Sequence, residues 1–180
     1  MVLMDRDNQI IEFLNICPAD SLTLQKIFFS TKRVCNERLK KLYEFGYIKR
    51  FRNNINSNYI YYVKRKPKQL NHCNYISKSY TWILEQGYNI EHFQREILLD
   101  NIRADAVYKI KDDCKSGFII TEVELSNNNT NKKVNKYEEF FITKQYKQYF
   151  NVMPKILYIS NQNVNSDLLN IINLKLSDVE

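Results

Sequence analysis

Glycine and proline are scarce, with 3 of each in 180 residues. A β-sandwich or barrel needs many tight turns and draws on those residues, so their scarcity argues against both. No apolar run approaches the roughly 18 residues that a membrane span needs. Asp5, Arg6 and Asp7 interrupt the N-terminus before the apolar core of a signal peptide can form. The four cysteines, Cys17, Cys35, Cys73 and Cys114, show no CxxC or CxxH spacing, which argues against zinc. With no secretory signal they are expected as reduced thiols in a cytoplasmic protein. There is no glycine-rich phosphate loop, and the two histidines, His72 and His92, stand outside any triad spacing. Neither a nucleotide cofactor nor a small-molecule substrate is indicated.

What is present is a chain that can fold. Apolar residues make up 44% and charged residues 26%, enough for a core and too apolar for wholesale disorder. The formal net charge is +7, unevenly spread. Residues 1–70 carry a balance of +8 and residues 71–180 a balance of −1. A basic half joined to a near-neutral half is the charge pattern of a nucleic-acid arm attached to something else. A merely solubilising basic surface is the plain alternative. Asparagine is abundant, at 22 residues, and reads as coding bias with some loop content.

Periodicity divides the first half into three short helices and a hairpin. Residues 5–16 carry an apolar stripe at Ile10, Ile11, Phe13 and Leu14, with Asp5 or Asp7 as the cap, and Pro18 ends the helix. Ser21 is read as the cap of a second helix and Thr31 as the cap of a third. In the third helix Cys35, Leu39 and Leu42 face inward, and Gly46 stops it. Residues 47–52 and 59–64 are aromatic and β-branched runs around the polar tip NNINSN, a β-hairpin signature. Three helices and a hairpin in this order make the winged helix-turn-helix pattern. A helical adaptor of the same fold without DNA contact is the alternative.

The third helix also carries an outward face. Lys32, Asn36 and Lys40 follow i, i+4, i+8, with Arg33 beside them. Lysine and arginine read guanine in the major groove and asparagine reads adenine, so this face is a candidate for base contact. Lys49, Arg50 and Arg52 on the wing, with Lys64 and Arg65 after it, are candidates for phosphate contact. The expected partner is duplex DNA.

The basic, Pro67-containing stretch KRKPKQLN reads as a linker, which places domain boundaries at 1–66 and 72–180 with residues 67–71 between. Beyond it the periodicity predicts helices over 77–86 and 90–98, then strands over 104–110 and 118–125 around the turn DDCKSG. A loop over 127–131, an amphipathic helix over 132–149, a strand over 155–160 and a last helix over 168–176 follow. The expected class is α+β, a winged helix followed by a small restriction-endonuclease-like α/β domain.

Glu122 and Glu124 stand at i, i+2 on a predicted strand, so both carboxylates leave one face. Asp105 lies on the strand before, where a hairpin brings it toward Glu122, and Glu96 lies on the predicted helix ahead of it. Converging carboxylates suit a hard cation such as Mg²⁺, with Asp105 and Glu122 as candidate ligands. Such a cation polarises a phosphodiester and activates water. An exposed polar strand face is the alternative.

The order of these features resembles the replication-relaxation family of plasmids and other mobile elements. Here it runs His72, Glu96, IRADAVY (102–108), ITEVELS (120–126) and then Lys136-Tyr137. The resemblance covers about residues 5–160. It implies a winged helix followed by a domain related to PD-(D/E)xK nucleases, and a role in replication, relaxation or mobilisation. Asp105, Glu122 and Glu96 match the acidic positions, and Lys136 matches the helix-borne lysine. Two positions depart from the pattern. Ala104 replaces the proline before the aspartate, and Glu124 stands where active nucleases carry the lysine that stabilises charge on the phosphate. Lys136 or Lys133 is the candidate replacement; otherwise the domain is catalytically silent. The competing class is a transcriptional regulator whose second half forms a homodimer or binds a partner.

Overall fold

Helix α1 spans Asp5–Ile16, the span its apolar stripe predicts. It buries Ile10, Phe13 and Leu14, and the Asp7 carboxylate accepts the Met4 backbone N–H at 2.7 Å, closing the first turn. A two-residue strand β1, Ala19–Asp20, leads into α2, Ser21–Phe28. Asp20, not Ser21, caps α2: its Oδ1 accepts the Thr23 N–H at 2.8 Å. Asn74 completes the arrangement. Its Oδ1 accepts the Asp20 N–H at 2.8 Å, and its Nδ2 donates to Asp20 Oδ2 at 3.1 Å. Helix α3, Lys32–Glu44, is capped by Thr31 and buries Cys35, Leu39 and Leu42. Gly46 follows at φ 76°, the left-handed conformation that ends a helix at low cost only for glycine. Strands β2, Lys49–Phe51, and β3, Ile60–Tyr62, form the hairpin, and β1 pairs antiparallel with β3 to give a sheet of order β1-β3-β2.

The computed structural model describes residues 1–112, 116–126 and 131–179. Cys114 with the rest of residues 113–115 of the DDCKSG turn, and the greater part of the expected 127–131 loop, lie outside the described residues. The described residues are mixed α+β, and none of their helices is long and apolar enough to cross a membrane. They divide into two compact units, Met1–Thr81 and Trp82–Glu180. The division falls within helix α4, Leu70–Glu85, and not in the segment read as a linker. That helix starts seven residues earlier than its periodicity predicts, so residues expected to link two domains begin a helix.

The second unit is built on a five-stranded sheet of order β4-β5-β6-β7-β8. The strands are β4 Asn89–Leu99, β5 Ile102–Lys111, β6 Ser116–Glu124, β7 Lys155–Ser160 and β8 Ile171–Leu174. The first three run antiparallel; β7 joins β6 in parallel and β8 joins β7 in parallel. Two expected helices are strands here. Residues 90–98, read as helical, lie in β4, which pairs with β5 along nearly its whole length. Ile90, Phe93 and Ile97 satisfy a helical period, but pairing of this edge strand with β5 overrides it. Residues 168–176, also read as helical, contain β8, whose Ile171 and Ile172 register with Ile156 and Leu157. The expected helix 132–149 ends early. Helix α5 covers Asn131–Ile142, Lys144 turns left-handed at φ 59°, and a single-turn helix occupies Gln145–Gln148. Val134, Tyr137 and Phe140 of α5 share one buried cluster with Val107, Ile120, Ile156 and Tyr158 of the sheet.

Candidate functional site

Two places collect the chemistry-bearing side chains, one in each unit. In the first unit Lys32, Arg33, Asn36 and Lys40 are all exposed on α3, opposite the buried Cys35 and Leu39. Arg33 pairs with Glu37 at 2.9 Å and Lys40 with Glu44 at 3.7 Å. Both pairs are solvent-facing i, i+4 contacts, which cost little to release. The cations of the β2–β3 hairpin are more committed. The Arg50 guanidinium lies between two rings, 4.2 Å from the Tyr43 centroid and 4.1 Å from that of Tyr59. Arg52 stacks on Tyr59 at 4.7 Å and donates to the Ile55 carbonyl at 3.1 Å. Lys49 donates to the Lys64 carbonyl at 3.2 Å. Lys64 and Arg65 are exposed after β3.

In the second unit the sheet forks. β5 and β6 pair from Lys111↔Ser116 to Ala106↔Thr121 and then part, while β4 follows β5 on to Ile102. At the fork the Asp105 carboxylate takes over a ladder position, and the Val123 N–H donates to its Oδ2 at 2.9 Å. On the same side Glu122 is buried, with 1% of its surface exposed. Two α5 side chains one helical turn apart meet it: Lys133 Nζ donates to Oε2 and the Tyr137 hydroxyl to Oε1. Lys133 Nζ also lies 3.9 Å from Asp105 Oδ2, so one ammonium spans both carboxylates.

This setting moves proton affinities. Burial pushes the Glu122 carboxyl up to about 8, and Asp105 adds to the rise, against the opposing pull of Lys133 and Tyr137. Burial and the facing Glu122 raise Tyr137 well above the ordinary phenol value. Tyr158, opposite Glu122 in the parallel register, is pushed up to about 12, chiefly by burial.

The other expected members of the acidic cluster lie apart from this pair. Glu124 is turned to the end of β6, where its Oε1 accepts from the Ser126 N–H at 3.0 Å and from the Ser126 hydroxyl. Glu96 is on strand β4, not on a helix; it holds a left-handed φ of 54° and pairs with Arg103 at 2.6 Å and Arg95 at 3.2 Å. Lys136 points its ammonium at the Asn101 carbonyl, 3.4 Å away, while Lys133 takes the carboxylates. Among the described residues no three His, Cys, Asp or Glu come together in a way that could hold a metal ion. Mg²⁺ demands about six oxygens in near-octahedral array. Here both Glu122 oxygens are engaged and an ammonium stands between the acids, so the residues present do not fit Mg²⁺.

Beside Asp105 opens a cleft of about 530 Å³, lined by Asn101, Ile102, Arg103, Asp105, Lys132, Lys133 and Lys136. The i, i+4 spacing of Lys132 and Lys136 puts both on one side of α5, whereas Asn101 carries no signal in the sequence.

Comparison of the chain with protein-family models, with curated proteins and with solved structures finds no match.

Proposed function

We propose that this chain is a sequence-specific duplex DNA-binding protein of a plasmid or other mobile element. In this reading its first unit is a winged helix, and its second is a nuclease-like domain that does not cleave. The observation that carries the reading is the exposed Lys32, Arg33, Asn36 and Lys40 face of α3, set beside a β2–β3 hairpin within a basic half. A helix of that length fits the major groove, and the short polar face matches the donor pattern that reads guanine and adenine. The Tyr43–Arg50–Tyr59 stack fixes the guanidinium on the wing, which reduces the entropy lost when it meets a phosphate. The motif order that resembles the replication-relaxation family supports the mobile-element role. The metal-unfit pair Asp105 and Glu122, and the carboxylate of Glu124 in place of a lysine, support the silent second domain.

Binding is tested by titrating labelled duplexes across a salt series. The affinity is expected to fall steeply with salt, as counterion release requires. Arg33→Ala with Lys40→Ala is expected to weaken it by about one to two orders of magnitude and to relax sequence preference. Lys64→Ala is expected to weaken all sequences alike and to lower the salt slope by about one. No affinity for any duplex at low salt rejects the reading.

Cleavage is tested on supercoiled plasmid with Mg²⁺ or Mn²⁺. No relaxed or linear product is expected. Efficient nicking that disappears in Asp105→Ala or Glu122→Ala makes the second unit an enzyme and overturns its silence.

A further inference from the structure

The cleft beside Asp105 gathers Arg103, Lys132, Lys133 and Lys136 against a single lining carboxylate. Like charges at such range repel, and the three lysines sit in the first turns of α5, where the helix dipole also disfavours cations. Arg103 is offset by Glu96, and Lys133 by the Asp105 carboxylate 3.9 Å away and by Glu122 once it ionises. Among the described residues Lys132 faces no carboxylate, and Lys136 reaches only a backbone carbonyl. An arrangement that repels itself and is only half neutralised is stabilised by an anion in the space it encloses.

We infer that this cleft binds a phosphate group without a divalent metal, with the Lys133 ammonium standing between Asp105 and Glu122 where a metal-dependent site would place its cation. Lys132 and Lys136 enter from α5 and Arg103 from β5, and the Lys136 ammonium donates to the Asn101 carbonyl in the β4–β5 turn at 3.4 Å. Ammonium and guanidinium groups from two elements fit the tetrahedral oxygens of a phosphate from two sides. The same chemistry serves inorganic phosphate and the phosphodiester of a nucleic-acid strand. The inference rests on the metal-free reading of the Asp105–Glu122 pair. It is independent of DNA recognition by α3.

The test is an amide NMR titration of the full chain in EDTA at fixed ionic strength. One arm adds inorganic phosphate and the other a thymidine dinucleotide. In at least one arm shifts are expected at residues 101–105 and 132–136. Saturation by phosphate alone marks a free-phosphate site, and tighter binding of the dinucleotide marks a strand site. Lys132→Gln with Lys136→Gln is expected to weaken binding by about tenfold for each lost charge-assisted contact. Because both side chains are exposed, the remaining amide spectrum is expected to stay unchanged. The Arg33→Ala, Lys40→Ala protein is expected to titrate at the cleft like the parent, which separates this test from that of α3. Cleft shifts that need Mg²⁺, that chloride reproduces, that persist in the double glutamine variant, or that fail in both arms overturn the inference.

Discussion

Arg38→Met is expected to destabilise the first unit by about 3–5 kcal/mol, the usual cost of leaving one member of a buried ion pair unpartnered. Asp7 on α1 has 1% of its surface exposed, and the Arg38 guanidinium on α3 holds both its oxygens, Nε at 2.7 Å from Oδ1 and Nη2 on Oδ2. The fork joins two helices far apart in the chain. It also holds the Asp7 carboxyl below its ordinary value, against the opposing effect of burial. A folded-state pKa below the unfolded one means that the stabilisation is complete above the unfolded value near 3.8 and is lost as pH falls through the folded value. Acid unfolding of the parent protein is therefore expected to begin near the lower end of the carboxylate range. Asp7→Asn is expected to cost less than Arg38→Met, because the Arg38 side chain is 17% exposed and can reach water. Urea unfolding followed by far-ultraviolet circular dichroism checks both. An Arg38→Met loss below about 1 kcal/mol places the pair among weak surface contacts.

The second large effect concerns Glu122, and its sign is opposite. Its folded pKa is raised from 4.5 to about 8, so between those values the folded state holds a proton that the unfolded state has lost. Stability then falls as pH rises across that window, by about a factor of ten in the folded-to-unfolded ratio per pH unit. Glu122→Gln, which keeps the shape and stays neutral, is expected to remove that slope and to be the more stable protein at pH above about 8. Tyr137→Phe removes one donor to the carboxylate and is expected to extend the loss to higher pH. Trp82, the single tryptophan, lies in the second unit and reports its unfolding by fluorescence. Equal pH slopes in the parent protein and in Glu122→Gln contradict the raised value.

The local code of the chain determined its short, strongly patterned elements. The stripe Ile10, Phe13, Leu14 between Asp5 and Pro18 specifies α1, and Thr31, Cys35, Leu39, Leu42 and Gly46 specify α3 from cap to stop. In those segments propensity, capping and burial period agree, so residues within a few turns contain all the information. The β2–β3 hairpin and the antiparallel β5–β6 pair were legible for the same reason. Tertiary structure decided the rest. Residues 90–98 have a helical period, yet β5 offered them a strand to pair with, and a partner strand is not encoded in the segment that receives it. IINL became a strand because β7 lay open beside it in parallel. The site shows the same division. The i, i+2 spacing put Glu122 and Glu124 on one face of β6. Only the packing of α5 over Ile120 and Tyr158 buried Glu122, left Glu124 at the strand end, and brought Lys133 to the carboxylates while Lys136 turned to Asn101. Spacing along the chain fixes which face a side chain leaves from, whereas its depth and its partner depend on the element that crosses above it.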